Sequence, residues 1–134
     1  MGKRPMPDIA TLHTAPAELS KLPSPGLIRR VIRQRQERSA LFEADLFADP
    51  AWDMLLDLAA AHAEGQRVSV TSLCIASGVP TTTALRWIAQ LTAKGLVEKV
   101  QDAIDRRRAF VRLTDRSIAA IARYFRNVEP APAL

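Results

Sequence analysis

Residues 71–114 constrain the fold more than any other part of the chain. The run Thr71-Ser-Leu-Cys-Ile-Ala-Ser-Gly78-Val-Pro-Thr81-Thr-Thr-Ala-Leu-Arg86-Trp-Ile predicts a short helix opening at Thr71, capped there, and broken at Gly78. A second helix restarts near Pro80 or Thr81, its cap displaced towards Thr81. Leu73, Val79, Ala84, Trp87 and Leu91 are spaced to bury one face of each helix. Small residues, Cys74 and Gly78, fall where the two helices must cross closely. This is a helix-turn-helix layout, which turns its second helix towards a major groove. Directly after it, two apolar strand-like runs, residues 96–100 and 109–113, flank a polar loop with three consecutive arginines, Arg106, Arg107 and Arg108. A hairpin placed after a recognition helix is a wing.

The flanking sequence extends the pattern. Residues 26–47 lack internal Pro and have no Gly beyond Gly26, so they predict one long helix. Its ends are apolar (Leu27, Ile28, Val31, Ile32, then Leu41, Phe42, Leu46, Phe47) and its middle, Arg33 to Arg38, is basic and solvated. Two apolar ends need two burial surfaces, and a second subunit is one candidate. Arg29, Arg30 and Arg33 read as a solvated face, with phosphate contact as the alternative. Asp49-Pro50 starts the next helix, with Asp as N-cap and Pro in the first turn. Trp52, Leu55, Leu56, Leu58 and Ala59 give that helix its buried face, while Asp53 and Asp57 meet solvent or a basic partner. Val68-Ser-Val70 is a short first strand. Gly95 is a left-handed C-cap, with Lys94 complementing the helix end. Thr114-Asp115 caps a last helix with the stripe Ile118, Ala119, Ile121, Ala122 and Phe125. The expected fold class is mainly α with a small β wing: about five helices and a two- to three-stranded antiparallel sheet. A Pro-rich flexible arm over residues 1–24, a winged helix-turn-helix domain with terminal dimerisation helices over 25–127 and a flexible tail over 128–134 complete the plan.

Charge separates along the 134-residue chain. Residues 1–40 hold eight Lys/Arg and three Asp/Glu, residues 41–65 none and six, and residues 66–134 eleven and five. Basic surface favours phosphate, independently of sequence. A single cysteine, Cys74, rules out an intrachain disulfide and reads as a buried structural thiol rather than a redox sensor. No apolar run approaches the roughly 18 residues of a membrane span. His13 and His62 belong to no cluster with ligand spacing, so no metal or other cofactor is expected. Asp102 and Asp105 sit on an arginine-rich hairpin, not in a pocket, and no enzyme signature appears.

The outward residues of the 81–94 recognition helix, Thr81, Thr82, Leu85, Arg86 and Gln90, are the candidate major-groove readers. Thr hydroxyls bond phosphates or base edges, Thr and Leu methyls meet a thymine methyl, and Arg86 suits guanine O6 and N7 or a phosphate. Thr83 and Ala84 turn towards the core. An Arg at the tip of the 99–112 wing suits a minor groove narrowed by A·T-rich sequence.

The combination resembles the winged-helix core of the MarR family of bacterial transcription regulators, over roughly residues 50–125, in a short variant. The signature is Asp105-Arg106-Arg107, five residues, then Leu113-Thr114; Lys94-Gly95-Leu96-Val97 and Asp102 also match. The resemblance implies that Arg107 enters the minor groove and Asp105 orients it, with Lys99, Arg106 and Arg108 on phosphates. Independently, a single cysteine and no apolar secretion core suit a cytoplasmic, nucleoid-associated protein. One reading unit spans too few base pairs, so a homodimer on a pseudo-palindromic duplex site is expected, with Leu27, Ile28, Val31, Ile118, Ile121 and Phe125 as dimer contacts and RNA polymerase as a further contact. The sequence departs from the family in two places. Pro80 stands where relatives carry a hydroxyl residue, and twenty residues follow Thr114, room for one helix where relatives place more. The alternative function is a winged-helix module that binds a protein of the transcription or replication machinery. Such a module calls for an apolar outer face on the recognition helix, where Leu85 is the one strong apolar candidate; the arginine run and the polar outer face favour DNA instead.

Overall fold

The computed structural model describes residues 21–128. Residues 1–20 of the expected arm, His13 among them, and all but the first residue of the expected tail lie outside the described residues. Helix α1 spans Pro25–Phe42, with the Ser24 hydroxyl accepting from the Leu27 N–H at 3.3 Å and Pro25 in the first turn. The expected single helix to residue 47 is not formed. Glu43 is extended (φ −178°, ψ 131°), and Ala44–Phe47 form a 3-10 turn that folds back. That reversal sets the Phe47 ring edge-on to Phe42, centroids 5.9 Å apart, and beneath the Arg38 guanidinium at 4.4 Å. On a continuous helix, residues five apart would not face each other.

Helix α2, Pro50–Ala63, is the centre of the molecule. Met54, Leu56, Leu58, Ala59, Ala60 and Ala61 are all buried, against Ile28 of α1 and the sheet. Asp49 occupies the N-cap position, but its side chain caps nothing and lies 3.8 Å from Arg35. Asp53 holds Arg35 at 2.6 Å, and Arg29 reaches both Asp57 (3.1 Å) and Glu64 (3.0 Å). The acidic stretch and the basic face of α1 thus neutralise each other within one chain. Arg29 and Arg35 are structural cations, while Arg30 and Arg33 stay exposed.

Strand β1 (Val68–Ser69) leads into α3 (Val70–Ala76). The cap is Ser69, whose hydroxyl accepts from the Ser72 N–H at 3.1 Å, and not Thr71, which lies within the helix. Starting the helix at Val70 leaves only two residues for β1. Gly78, at φ +74°, makes the turn. A left-handed backbone of this kind is available to glycine at little cost. Helix α4, Thr81–Ala93, follows with Pro80 in the cap position and no side-chain cap; Thr81 is already helical. Gly95, also at φ +74°, ends the turn after α4 and releases the chain into β2 (Val97–Gln101). Strand β3 (Ala109–Leu113) lies between the other two, antiparallel to both. Val100 and Ser69 face Phe110 from opposite sides of the ladder. Helix α5, Asp115–Val128, closes the described chain. Among the described residues, five α-helices and a three-stranded antiparallel sheet make the winged helix-turn-helix anticipated from the pattern.

The stripe on α5 is spent inside the chain. Ile121, Ala122 and Phe125 are at most 4% exposed, and Ile28 on α1 is fully buried. Ile28, Ile121 and Phe125, expected as dimer contacts, are thus covered by the chain's own core. Leu27, Val31 and Ile118 are half-buried. No helix among the described residues is long and apolar enough to cross a membrane.

Candidate nucleic-acid interface

Helix α4 is divided cleanly into two faces. Ala84, Ile88 and Leu91 are buried, Trp87 packs half-buried against the same core, and Thr83 is half-buried beside them. Thr81, Thr82, Leu85, Arg86 and Gln90 are all exposed on the other side, together with Ala89. A periodic apolar stripe on one side of a helix leaves the remaining side chains to solvent or a partner. Ile88 extends the apolar spacing of Ala84 and Leu91 by one helical neighbour, which was the signal for its burial.

The end of α4 is clamped to α5. The Arg116 guanidinium donates to the Lys94 carbonyl at 2.7 Å, completing a C-terminus that Lys94 itself was expected to complement. The Thr114 hydroxyl donates to the Gly95 carbonyl at 2.8 Å and accepts from the Ser117 N–H at 3.3 Å. The Ser117 hydroxyl donates to the Leu96 carbonyl at 2.5 Å. Carbonyls at a helix end need such donors. Here they fix the orientation of α4 relative to the sheet. Arg116 was invisible as a clamp in the sequence, because its partner is 22 residues away.

The wing is ordered by two aspartates. Asp102 is nearly buried, and its carboxylate accepts from the N–H groups of Ile104 (2.9 Å) and Asp105 (3.3 Å). These two bonds, the first the stronger, hold its carboxyl below the usual carboxylate range against the cost of burial; the charges of Arg108 and Arg67 add to them. The backbone closes with Asp102 N–H to the Arg108 carbonyl (3.1 Å) and Arg108 N–H to the Asp105 carbonyl (3.0 Å). The Gln101 side-chain amide also donates to the Arg106 carbonyl. Asp105 then grips Arg107 through its backbone N–H (3.0 Å), Nε (3.1 Å) and Nη2 (3.4 Å). The Arg107 hydrogen bond is the main reason that the Asp105 carboxyl also lies below its usual range. The Arg107 side chain remains 90% exposed, so it is held at its root and free at its surface.

The other wing cations differ among themselves. Lys99 and Arg106 are exposed, and neither has a carboxylate within ion-pair distance among the described residues; the same holds for Arg86. Arg108 is partly engaged, 4.0 Å from Asp102 and 5.3 Å above the Phe110 ring. Arg112 is paired with Glu98 at 3.2 Å. Arg67 lies 4.1 Å over Phe110 and was not singled out by sequence, since it precedes the reading unit and matches no motif. Among the described residues no group of three His, Cys, Asp or Glu could hold a metal ion. Cys74 is buried beside the turn.

Residues 61–117 match the family of winged helix DNA-binding domains. No curated protein matches the sequence. Among solved structures, S. aureus MepR in a DNA-binding conformation is 21% identical, over 71% of this chain and 69% of that one, with a TM-score of 0.50. A MarR family transcriptional regulator from Silicibacter pomeroyi DSS is 20% identical, over 76% and 65%, with a TM-score of 0.51. The PcaV transcriptional regulator from Streptomyces coelicolor is 25% identical, over 56% and 50%, with a TM-score of 0.47. The chain thus spans about half the length of that PcaV chain. The likeness to MepR and to the Silicibacter protein is one of fold.

Proposed function

We infer that this chain, a winged helix DNA-binding domain across residues 61–117, is a sequence-specific regulator of transcription that binds duplex DNA and has no catalytic role. The observation that carries the reading is the Asp105–Arg107 pair: a guanidinium fixed at its base and 90% exposed at a hairpin tip. A cation so presented suits the narrow, strongly negative minor groove of A·T-rich DNA. The exposed polar face of α4 supplies the second half, with Arg86 and Gln90 for base edges, Thr81 and Thr82 for phosphates or edges, and Leu85 for a thymine methyl. Lys99, Arg106 and Arg108 add phosphate contacts, which set register and affinity.

One recognition helix and one wing read few base pairs, too few to single out a genomic site. The functional unit is therefore a homodimer on a pseudo-palindrome, with half-sites about 10 base pairs apart or a multiple of that. Leu27, Val31 and Ile118 remain as dimer contacts, joined by exposed Tyr124 and Val128 on α5. On this reading the protein works on chromosomal DNA in the cytoplasm. Genome-wide mapping of the tagged protein tests it: discrete peaks sharing a two-fold motif support it, and uniform recovery of the genome refutes it.

A second reading is favoured by one patch. Leu41 and Phe42 at the end of α1, Leu46 in the 3-10 turn after it, and Ile75 on α3, are 63–78% exposed. Large apolar side chains left so open suit a protein partner, RNA polymerase included. Recovery of peaks only in the presence of such a partner would favour this module over an autonomous regulator.

A further inference from the structure

The wing tip is a small structure hanging from two strands, and Ile104 within it is 96% exposed. Its own contacts order Asp102 to Arg108, but they do not fix the hairpin relative to the helices. The Arg67 side chain reaches its root from outside the hairpin. Arg67 stands between the Gly65 turn that ends α2 and the first residue of β1. Its guanidinium lies 4.1 Å over the ring of Phe110, the β3 residue paired with both Ser69 and Val100. Arg108 approaches the same ring at 5.3 Å and Asp102 at 4.0 Å. A guanidinium on an aromatic face is attracted by the ring's quadrupole and packs flat on it.

We propose that Arg67 is a positioning residue: it ties the segment between α2 and β1 to the wing root through the Phe110 ring, which it shares with Arg108, and so sets where Arg107 is presented. Asp102 holds the Asp105 N–H, and Asp105 holds Arg107. Arg67 thus meets Phe110, Arg108 meets the same ring and lies 4.0 Å from Asp102, and the path to the exposed cation runs on through Asp102 and Asp105. Arg67 acts through this path and not by touching DNA. The inference rests on the DNA reading above for its consequence, but the ordering of the wing is independent of DNA.

Two measurements on the full chain test it. In the first, amide NMR spectra of Arg67→Ala and Arg67→Gln are compared with the parent. Gln keeps a flat polar group and part of the stem without the charge, and Arg67 is exposed, so folding is expected to survive; a thermal melt checks it. Shifted amides at Asp105 and Arg107 are expected, with α3 and α4 unchanged. In the second, binding to an A·T-rich duplex and its G·C-rich counterpart is titrated across salt. Arg67→Ala weakens A·T-rich binding by about five- to fifty-fold, within the range one good groove contact spans. The slope of log affinity against log salt stays at the parent value. Adding Arg107→Ala to Arg67→Ala costs little beyond Arg107→Ala alone, because both act through one contact.

A salt slope reduced by about one, with additive losses, would make Arg67 a phosphate ligand and overturn the proposal. So would unshifted wing amides. If Arg67→Ala shifts the wing amides while the parent binds neither duplex, the positioning role stands and the DNA reading fails.

Discussion

Arg107 and Asp105 form a three-point contact across two residues of sequence: the carboxylate of Asp105 accepts from the backbone N–H, the Nε and the Nη2 of Arg107. An exposed ion pair of this kind adds little stability, because water screens it and two side chains lose freedom. What the contact fixes is direction. Arg107→Ala is predicted to weaken specific DNA binding by about 1–3 kcal/mol, with folding unchanged. Asp105→Ala shows a smaller loss in the same sense, because it acts only through Arg107. Anisotropy titration of both variants checks this, and parent-like affinity in Arg107→Ala removes the wing from the mechanism.

Acid should loosen the wing in a defined direction. The Asp105 carboxyl titrates below its ordinary range in the folded protein, first because of the Arg107 side chain and then because of the Arg107 N–H. Its contribution is complete above the unfolded value, about 3.9, and is lost as pH falls through the lower folded value. Wing order is thus indifferent to Asp105 across neutral pH. Carboxyl NMR should find the Asp105 midpoint below about 3.9, moving upwards in Arg107→Ala. A midpoint at or above the ordinary value contradicts the contact.

Ile28 separates the chain's own core from any contact between subunits. It is fully buried by the chain, so Ile28→Ala leaves a cavity and should cost about 2–5 kcal/mol. Urea unfolding measures the loss. Self-association of the folded variant should equal the parent's. A loss of association without a loss of stability would return Ile28 to an intersubunit face.

Sedimentation velocity decides the dimer. A two-fold dimer at micromolar concentration, bound as two chains per site, is expected from the limited reach of one reading unit. A monomer, free and as one chain per DNA site, would point to a module brought to DNA by a partner.

Much of this was legible because it was local. Gly78 and Gly95 carry the left-handed turns that end α3 and α4. The alternation in residues 96–113 pairs as the wing, and the Asp105–Arg107 contact spans two residues. The features that sequence did not disclose are long-range. Arg29 and Arg35 read as a solvated stripe because Asp57, Glu64 and Asp53 come from another helix. Burial of Ile28, Ile121 and Phe125 could equally have been completed by a second chain, since an apolar stripe does not say whose core it joins. The break at Glu43 has no Gly or Pro to announce it; it follows from Phe47 folding back under Arg38. Ser69 outcompetes Thr71 as a cap because its hydroxyl reaches the Ser72 N–H from outside the helix. Arg67 escaped notice because its meaning depends on Phe110, 43 positions on, and no local rule couples them.

Salt titration of the parent protein on duplex DNA tests the central claim most directly. Exposed Lys99, Arg106, Arg107 and Arg86 are the cations that displace counterions if the α4 face and the wing meet the duplex. Each phosphate neutralised contributes a slope of about −0.9 to log affinity against log salt. A steep linear fall, made shallower by about one in Arg106→Ala, is the predicted result. Affinity that is flat across the salt series would contradict the account.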